Sequence, residues 1–459
     1  MSPRSPNQRL AHWIDSSGLN HTQLAAKVRD LARDRGQTQV YPDARRVRAW
    51  KQGERPRDPV PELLLNILTE HTGQHLTLSD IGLGEDGALP LSERTWNAHV
   101  LTGELAALTR SDIMRGETSP ASGQLLHGNE LLEGVRPWAS LPVHPAHARG
   151  TRRLGHSDVS RLEALTQSLR SLDNLHGGGT ARQAVIGQLA GVTDMLANAS
   201  YTDEVGRRLF TAVGDLAGVA GWMCHDVGLH SSAQHYFLLA LRAAKEAGTA
   251  HLGAHILNCM ARQASHLEHP DDALELVHLA LYGVRRVATP TVRAVLHSLE
   301  ARAHAMMGHP DEFARSAHQA ELAFGDSDTV EEPSWVRFFD TGEYYATIGV
   351  CHQIVARVSD PAHATLSVWM MEQAIQARPV ERHRSLAFDH IGLARALLVQ
   401  RETEAALAKT RTALELLPDL ASTRVVDRLR EVSVEARPFA GDAHADELRD
   451  LVNTACARP

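Results

Sequence analysis

Basic residues are concentrated in one short segment near the start of this 459-residue chain. From Lys27 to Arg57 there are ten lysines and arginines against four acidic residues, although the whole chain carries a formal net charge of −8. A local positive excess of this kind can pair with phosphate groups while the rest of an acidic surface stays solvated. The chemistry that this segment offers is the binding of a polyanion.

Hydrophobic spacing predicts short helices that position these basic residues. Leu10, Trp13 and Ile14 recur at helical spacing in the first of them. Asn20 precedes Gln23 by the three residues of a capping box, which opens a second helix. The two helices are expected to meet at a tight turn.

A third helix is predicted to begin after Asp43 and to present arginines outward. Val47 and Trp50 lie one turn apart and are expected to face the interior. At about 100° per residue, the opposite face carries Arg45, Arg48, Ala49 and Gln52. This is the layout of a helix that reads the major groove of DNA. Gly53 ends the helix, and a fourth, apolar helix is expected from Leu63 to Leu68.

These residues resemble a known family of DNA-binding domains. The run from Leu19 to Ala25, followed by Val47-x-x-Trp50-x-x-Gly53-x-x-Pro56, is similar to the XRE, or phage-repressor-like, helix-turn-helix. That family usually has a very short turn between its second and third helices, whereas about ten residues, 33–42, lie between them here. The resemblance implies a DNA-binding domain with an unusual connection before its third helix.

The expected DNA contacts divide into two kinds. Arg45 and Arg48 are placed to donate paired hydrogen bonds to guanine O6 and N7, with Arg46 on the flank. Lys51 and the arginines beyond it are better placed to pair with phosphates. The predicted DNA-binding residues are Arg45, Arg46, Arg48, Lys51, Gln52, Arg55 and Arg57. The alternative is a solvated basic face on a small helical domain.

Three segments are expected along the chain: a helix-turn-helix domain at 1–83, a connector at 84–155 and a helical repeat domain at 156–459. The connector is rich in Gly, Pro, Ser and His and predicts one helix, around Trp96 to Leu108. His144 and His147 within it lack further ligands at suitable spacing, so we expect no metal site there.

Small residues recur along the third segment with a period near 40 residues. The pairs Ala233 with Ala240 and Ala273 with Ala280 repeat at that interval, and Ala320 continues the series. This spacing resembles tetratricopeptide (TPR) repeats, although their usual period is about 34. The resemblance implies an α-solenoid, in which each unit buries its apolar face against the next and a concave groove holds ligands.

One aromatic cluster stands out within the repeats, where aromatic residues are otherwise rare. We predict that Trp335, Phe339, Asp340 and Tyr344 contribute to a ligand site. The alternative, which we weight more heavily, is that the cluster packs between repeats. A peptide or a small molecule is the expected effector.

The combination of segments resembles actinobacterial regulators of the NsdA type, over residues 8–83 and about 155–415. The motifs are Trp50-x-x-Gly53-Glu54-x-Pro56-Arg57-x-Pro59, Asp158-Val159 with Leu162-Glu163, Leu172-Asp173 with His176 to Gly179, and Pro333-x-Trp335-x-x-x-Phe339-Asp340. The resemblance implies a repressor of differentiation or secondary metabolism in a Streptomyces-like bacterium. The architecture is also similar to the Rap/PlcR/PrgX group, in which TPR repeats bind signalling peptides.

Composition and the absence of known catalytic motifs narrow the fold classes and enzyme classes to which the chain can belong. With 43% apolar, 22% charged and only 5% aromatic residues, the chain predicts an all-α fold. His176 to Gly179 is similar to a lipase oxyanion loop, but no GxSxG accompanies it. His251 and His255 are spaced i, i+4 without a third ligand. We therefore expect no catalytic residues, no metal and no cofactor.

The resulting hypothesis is a cytoplasmic, homodimeric transcriptional regulator that binds a double-stranded DNA operator and no membrane. Its TPR-like domain would sense a ligand or partner and mediate dimerisation. The alternative is a TPR adaptor that acts through protein–protein contacts alone. Sequence-selective operator binding would favour the regulator, and copurification of one protein partner would favour the adaptor.

Overall fold

The residues that the computed structural model describes are all-α apart from two very short strands. These are residues 7–34, 39–57, 59–72, 76, 78, 81–83, 96, 98–115, 125–140, 151–176, 178–197, 199–327, 331–416 and 422–457. The chain divides into two compact units, Met1–Arg94 and Thr95–Pro459. In the described part of the chain, no helix combines the length and hydrophobicity needed to cross a lipid bilayer.

Unit 1 is a group of four helices around one apolar core. The helices are α1 (Gln8–Ser16), α2 (His21–Asp34), α3 (Ala44–Lys51) and α4 (Val60–Thr72). All four contribute buried side chains to the core, which extends from Leu10 to Leu83 and includes Trp13, Val47 and Trp50. The hydrophobic spacing in the sequence therefore identified the buried faces of these helices.

Polar caps fix where the helices of unit 1 begin, as the sequence predicted. The Asn20 side chain accepts hydrogen bonds from the backbone N–H of Thr22 and Gln23, at 3.0 and 2.9 Å. The Gln23 side chain accepts the Asn20 backbone N–H in return, at 2.9 Å, which completes the capping box. Asp43 accepts the Arg46 backbone N–H at 2.8 Å and so caps α3.

The first described elements of unit 2 are five helices and two very short strands. They are α5 (Ala98–Arg115), α6 (Gly128–Val135), α7 (Pro137–Ser140), β1 (Arg152–Arg153), α8 (His156–His176), α9 (Gly178–Ala197) and β2 (Ala199–Ser200). Strands β1 and β2 pair in parallel, with Arg152 opposite Ala199. Helix α8 ends at His176 and α9 begins at Gly178, so the glycine-rich stretch ends a helix, as expected.

The described residues of the segment expected to be a connector with one helix form three helices, so the expectation of one is corrected here. Helices α6 and α7 pack against α11 (His230–Ala247) and α13 (Pro270–Val284) of the same unit. Their buried side chains are Leu131, Leu132, Val135 and Trp138. Trp138 lies so close to Gly253 that a β-carbon there would be 2.1 Å from the indole nitrogen. Short helices of four and eight residues give too little periodicity to be recognised in a sequence rich in Gly and Pro.

The rest of unit 2 is a series of helices. They are α10 (Asp203–Asp226), α11 (His230–Ala247), α12 (Ala250–His266), α13 (Pro270–Val284), α14 (Pro290–Met307), α15 (Pro310–Gly325), α16 (Thr341–Val358), α17 (His363–Ala377), α18 (His383–Val399), α19 (Thr403–Glu415), α20 (Thr423–Glu435) and α21 (Ala443–Cys456). Two short 3₁₀ helices, Ser334–Val336 and Arg437–Phe439, interrupt the series.

These helices pack in consecutive pairs. Helix α10 packs on α11, α12 on α13, and so on through α18 and α19, while α10, α12, α14, α16, α18 and α20 also contact one another in sequence. The small residues of the 40-residue spacing lie in the pair interfaces, where Ala233, Ala240, Ala280 and Ala320 are fully buried. Small side chains at these positions let the helices approach closely.

Polar contacts join distant parts of the helical series. Asp226, at the end of α10, is fully buried and accepts hydrogen bonds from Arg384 of α18 at 2.9 Å and from Ser422 at 3.0 Å. Arg424 of α20 donates to the same carboxylate at 3.3 Å. Helices α18 and α20 are therefore held against the end of α10, and the series curls back on itself.

Candidate functional site

Helix α3 of unit 1 displays the predicted DNA-binding residues. Its apolar face is fixed because Val47 is fully buried and Trp50 is only 4% exposed. The side chains of Arg45, Arg46 and Arg48 are exposed on the remaining surface of the helix. The helix thus has one face anchored in the core and one face rich in guanidinium groups.

Several of the predicted residues already have partners within unit 1. Arg46 pairs with Glu54, Lys51 lies 3.1 Å from the Asp15 carboxylate, and Arg55 donates to the Leu83 carbonyl oxygen at 3.2 Å. Exposed pairs of this kind are worth about 0–1 kcal/mol, so DNA phosphates could replace the acidic partners.

The side chains of Arg45, Arg48, Gln52 and Arg57 have no hydrogen-bond or ion-pair partner in the described part of the chain. Arg45 and Arg48 are the two residues expected to read bases. A guanidinium group without an internal partner keeps all its donors available for a bidentate contact with guanine or phosphate. The geometry therefore leaves the expected base-reading arginines unoccupied.

The start of α3 is tied to α2 despite the long connection between them. Arg29 of α2 donates a hydrogen bond to the carbonyl oxygen of Pro42 at 2.7 Å, immediately before the Asp43 cap. Residues 35–38 of this connection lie outside the described part of the chain. The link fixes the beginning of the basic helix relative to α2.

His21, the first residue of α2, lies in a positive electrostatic environment created by cations of α3. Burial, followed by the positive charges of Lys51 and Arg48, lowers the pKa of His21 below its ordinary value. The imidazole therefore stays neutral at pH 7. The same two cations would attract an anion to this surface.

The residues proposed as ligand contacts in unit 2 lie close together, but they have packing roles. Phe339 is 3% exposed, and Tyr344, 7% exposed, stacks on Phe324 with ring centroids 4.4 Å apart. Asp340 caps α16 through the Glu343 backbone N–H at 3.0 Å, and Trp335 lies 4.9 Å from the ring of His255. None of the four predicted residues lines the large cavity described next.

A cavity of about 750 Å³ lies among α12, α14, α16, α18 and α20. The described residues around it include eight arginines and six acidic residues, together with an apolar wall that contains Met371 and Phe388. Its volume is in the range typical of small-molecule sites, about 300–1,000 Å³. Sequence reasoning missed this site because its arginines are spread over five helices.

Ion pairs hold part of this arginine set in place. Arg378 donates to Asp389 at 2.8 Å and to Glu343 at 2.9 Å, and Arg395 bonds the carboxylates of Glu431 and Glu435 at 2.6 Å. Burial raises the pKa of Glu343, but Arg378 and Arg262 outweigh that effect and lower it to about 2. Glu343 is therefore ionised at neutral pH.

One group of side chains has the composition of a metal site. His127, His269 and Asp272 place ligand atoms within 4.8 Å of one another, and no other such group occurs in the part of the chain that the structure describes. Asp272 already accepts the Gly128 backbone N–H at 2.8 Å, which caps α6. His144 and His147, considered in the sequence, lie outside the described residues. The cluster is accounted for by its role in joining α6 to α13.

Comparisons with known proteins match only the first unit. The model of a family described as the SP15 N-terminal domain matches residues 10–84. This segment coincides with the apolar core of unit 1, which runs from Leu10 to Leu83. Neither the curated proteins nor the solved structures gave a match to this chain.

Proposed function

We propose that this protein is a sequence-specific, DNA-binding transcriptional regulator rather than an enzyme, and that unit 1 is its helix-turn-helix domain. The observation that carries the proposal is the pair of exposed arginines, Arg45 and Arg48, on a helix whose opposite face is fixed by Val47 and Trp50. A rigidly held helix with free guanidinium groups is suited to base recognition in the major groove.

The remaining basic residues supply the contacts that set orientation on DNA. Lys51, Arg55 and Arg57 follow the first turns of α3, where phosphates on either side of the groove would lie. Each phosphate contact releases a counterion, so this part of the binding weakens as salt rises. The proposal includes the NsdA-type role, repression of differentiation or secondary metabolism, and a cytoplasmic location.

Unit 2 is proposed to be a TPR-like sensor that also mediates homodimerisation. The pairwise packing of α10 to α19 and the buried alanines support the repeat assignment. A ligand in the cavity would bias the curvature of the helical series, and two DNA-binding domains in a dimer would then change their spacing on the operator.

Selection of bound fragments from sheared genomic DNA tests the proposal. The wild-type protein should enrich a discrete motif at near-physiological salt, and an Arg45→Ala/Arg48→Ala variant should not. The control variant is Arg161→Ala/Arg315→Ala, which removes two exposed arginines of unit 2 that pair with acidic residues one turn away. The control should enrich the same motif as the wild type.

Failure of the wild type to enrich any motif would contradict the regulator. Copurification of a single protein partner in that case would support the adaptor function instead. Enrichment of the same motif by both double variants would show that Arg45 and Arg48 do not read the sequence.

A further inference from the structure

The cavity of unit 2 contains an arginine that no residue of the described chain neutralises. Arg302, on α14, has no hydrogen-bond or ion-pair partner among the described residues, and its Nε atom is buried. The residue as a whole is only partly buried, but a buried N–H donor without an acceptor costs free energy, because it has lost its hydrogen bonds to water. An anion that enters the cavity would supply the missing acceptor.

A neighbouring arginine, Arg262, also has a buried donor without an acceptor. Arg262 has an Nη2 atom that is buried and without a hydrogen-bond partner, although its Nη1 atom donates to Glu343 at 3.2 Å. Burial, followed by the positive charge of Arg428, lowers the pKa of Arg302 to about 9, with Arg262 also contributing. Arg302 therefore remains protonated at neutral pH.

The acidic residues around the cavity are shared among its other arginines, and no ion pair joins any described acidic residue to Arg302. Glu343 and Asp389 are engaged by Arg378, and Glu431 and Glu435 are engaged by Arg395. Glu343 also pairs with Arg262 at 3.2 Å, and Glu431 also pairs with Arg428 at 2.6 Å, so each of these two carboxylates is shared between two arginines. Arg302 of α14 is the cavity arginine that this sharing leaves without an acidic partner among the described residues.

Arg424 and Arg428 of α20 line the same cavity, and both are held in position; Arg424 donates to the buried Asp226 carboxylate at 3.3 Å. Arg424 lies 4.9 Å from the ring of Trp222 and 5.1 Å from that of Phe388. Arg428 donates to the Glu431 carboxylate at 2.6 Å and to His266 at 3.3 Å. Burial and the charges of these two arginines lower the pKa of His266 to about 2, so its ring is neutral and adds no positive charge to the cavity.

We infer that this cavity binds an organic phosphate, with its phosphate groups held by Arg302, Arg262, Arg424 and Arg428. Guanidinium groups match the oxygens of phosphate in bidentate geometry. Phe388, Met371 and Ile354 line the cavity beside them and would contact an apolar or planar body of the ligand. This inference deepens the ligand-sensing part of the proposed function and rests on it.

Isothermal titration calorimetry of the full chain with three probes tests the inference. Inorganic pyrophosphate tests the phosphate contacts alone, adenosine diphosphate adds a planar body, and citrate offers comparable negative charge on carboxylates. We expect pyrophosphate to bind, adenosine diphosphate to bind more tightly, and citrate to bind at least about tenfold more weakly than pyrophosphate. Citrate binding as tight as pyrophosphate would overturn the phosphate assignment, and equal affinity for the two phosphate probes would overturn the contact with an apolar body.

Variants of Arg302 test the site itself. Arg302→Met keeps the length of the side chain and should weaken pyrophosphate binding by at least about tenfold, while Arg302→Lys should retain part of it. Because Arg302 has no internal partner, Arg302→Met should melt at or above the wild-type temperature without ligand. Arg315→Met, which changes an exposed arginine on α15, is the matched control and should bind as the wild type does.

Two results would overturn the inference: absence of pyrophosphate binding to the wild type, or undiminished binding by Arg302→Met. Calorimetry requires no DNA, so its outcome is separate from that of the fragment selection. A protein that binds phosphate but enriches no genomic motif would refute DNA binding and leave the cavity assignment standing.

Discussion

The Asp226 side chain joins α10 to α18 and α20, so we expect Asp226→Asn to cause a large loss of stability. The carboxylate is fully buried and receives hydrogen bonds from Arg384, Ser422 and Arg424. Asp226→Asn removes the negative charge from the buried Arg384 and the partly buried Arg424 but keeps one acceptor oxygen. Breaking a buried ion pair costs about 3–5 kcal/mol, and the retained acceptor places the expected loss near the lower limit, at about 3 kcal/mol.

Urea unfolding followed by far-ultraviolet circular dichroism measures this loss. At a slope of about 3 kcal/mol per molar urea, a loss of about 3 kcal/mol lowers the midpoint by about 1 M. Glu447→Gln is the matched control, since it neutralises the partner of Arg411 in a pair that is about half exposed. That pair is worth about 0–1 kcal/mol, so the control should shift the midpoint only slightly. Equal shifts for the two variants would refute the argument that Asp226 holds α18 and α20 against α10.

Three further predictions concern packing, backbone conformation and pH. Gly253→Ala should destabilise the protein by about 1–3 kcal/mol in thermal unfolding because its β-carbon would overlap the ring of Trp138, whereas Gly191→Ala, with open space around it on α9, should be neutral or stabilising. Glu268 has a left-handed backbone with φ 62°, so Glu268→Gly should raise the unfolding free energy by up to about 1 kcal/mol; a lower melting temperature would contradict this. Burial raises the pKa of Glu246 to about 7, so the folded state holds a proton that the unfolded state releases above pH 4.5, and stability is lost as pH rises from about 5 to 8. Glu246→Gln should remove up to about 3 kcal/mol of that loss in urea titrations at pH 5 and pH 8, and an unchanged pH dependence would refute the assignment.

Local features of the sequence predicted unit 1 well. The capping box of Asn20 and Gln23 and the cap at Asp43 depend on residues three positions apart, so their geometry follows from the sequence itself. The inward placement of Val47 and Trp50 follows from helical periodicity in the same way. The all-α class and the burial of the recurring alanines were also confirmed.

The cavity could not be predicted because its residues come from distant parts of the chain. Arg262 and Arg424 face the same space although 162 positions separate them in the sequence. The closure that brings them together depends on contacts such as that between Arg384 and Asp226, for which a single sequence contains no spacing signal. Local aromatic enrichment around Trp335 and Tyr344 instead drew attention to residues that the structure packs against their neighbours.

The central claim is that Arg45 and Arg48 read DNA sequence, and fluorescence anisotropy tests it most directly. The measurement compares an enriched genomic fragment with a scrambled duplex of equal length, at one salt concentration, for the wild type, Arg45→Ala and Arg57→Ala. Arg45→Ala should lose about 1–3 kcal/mol on the enriched fragment and much less on the scrambled duplex, while Arg57→Ala should weaken both alike. Equal losses on both duplexes for Arg45→Ala, or equal wild-type affinity for both, would contradict the account.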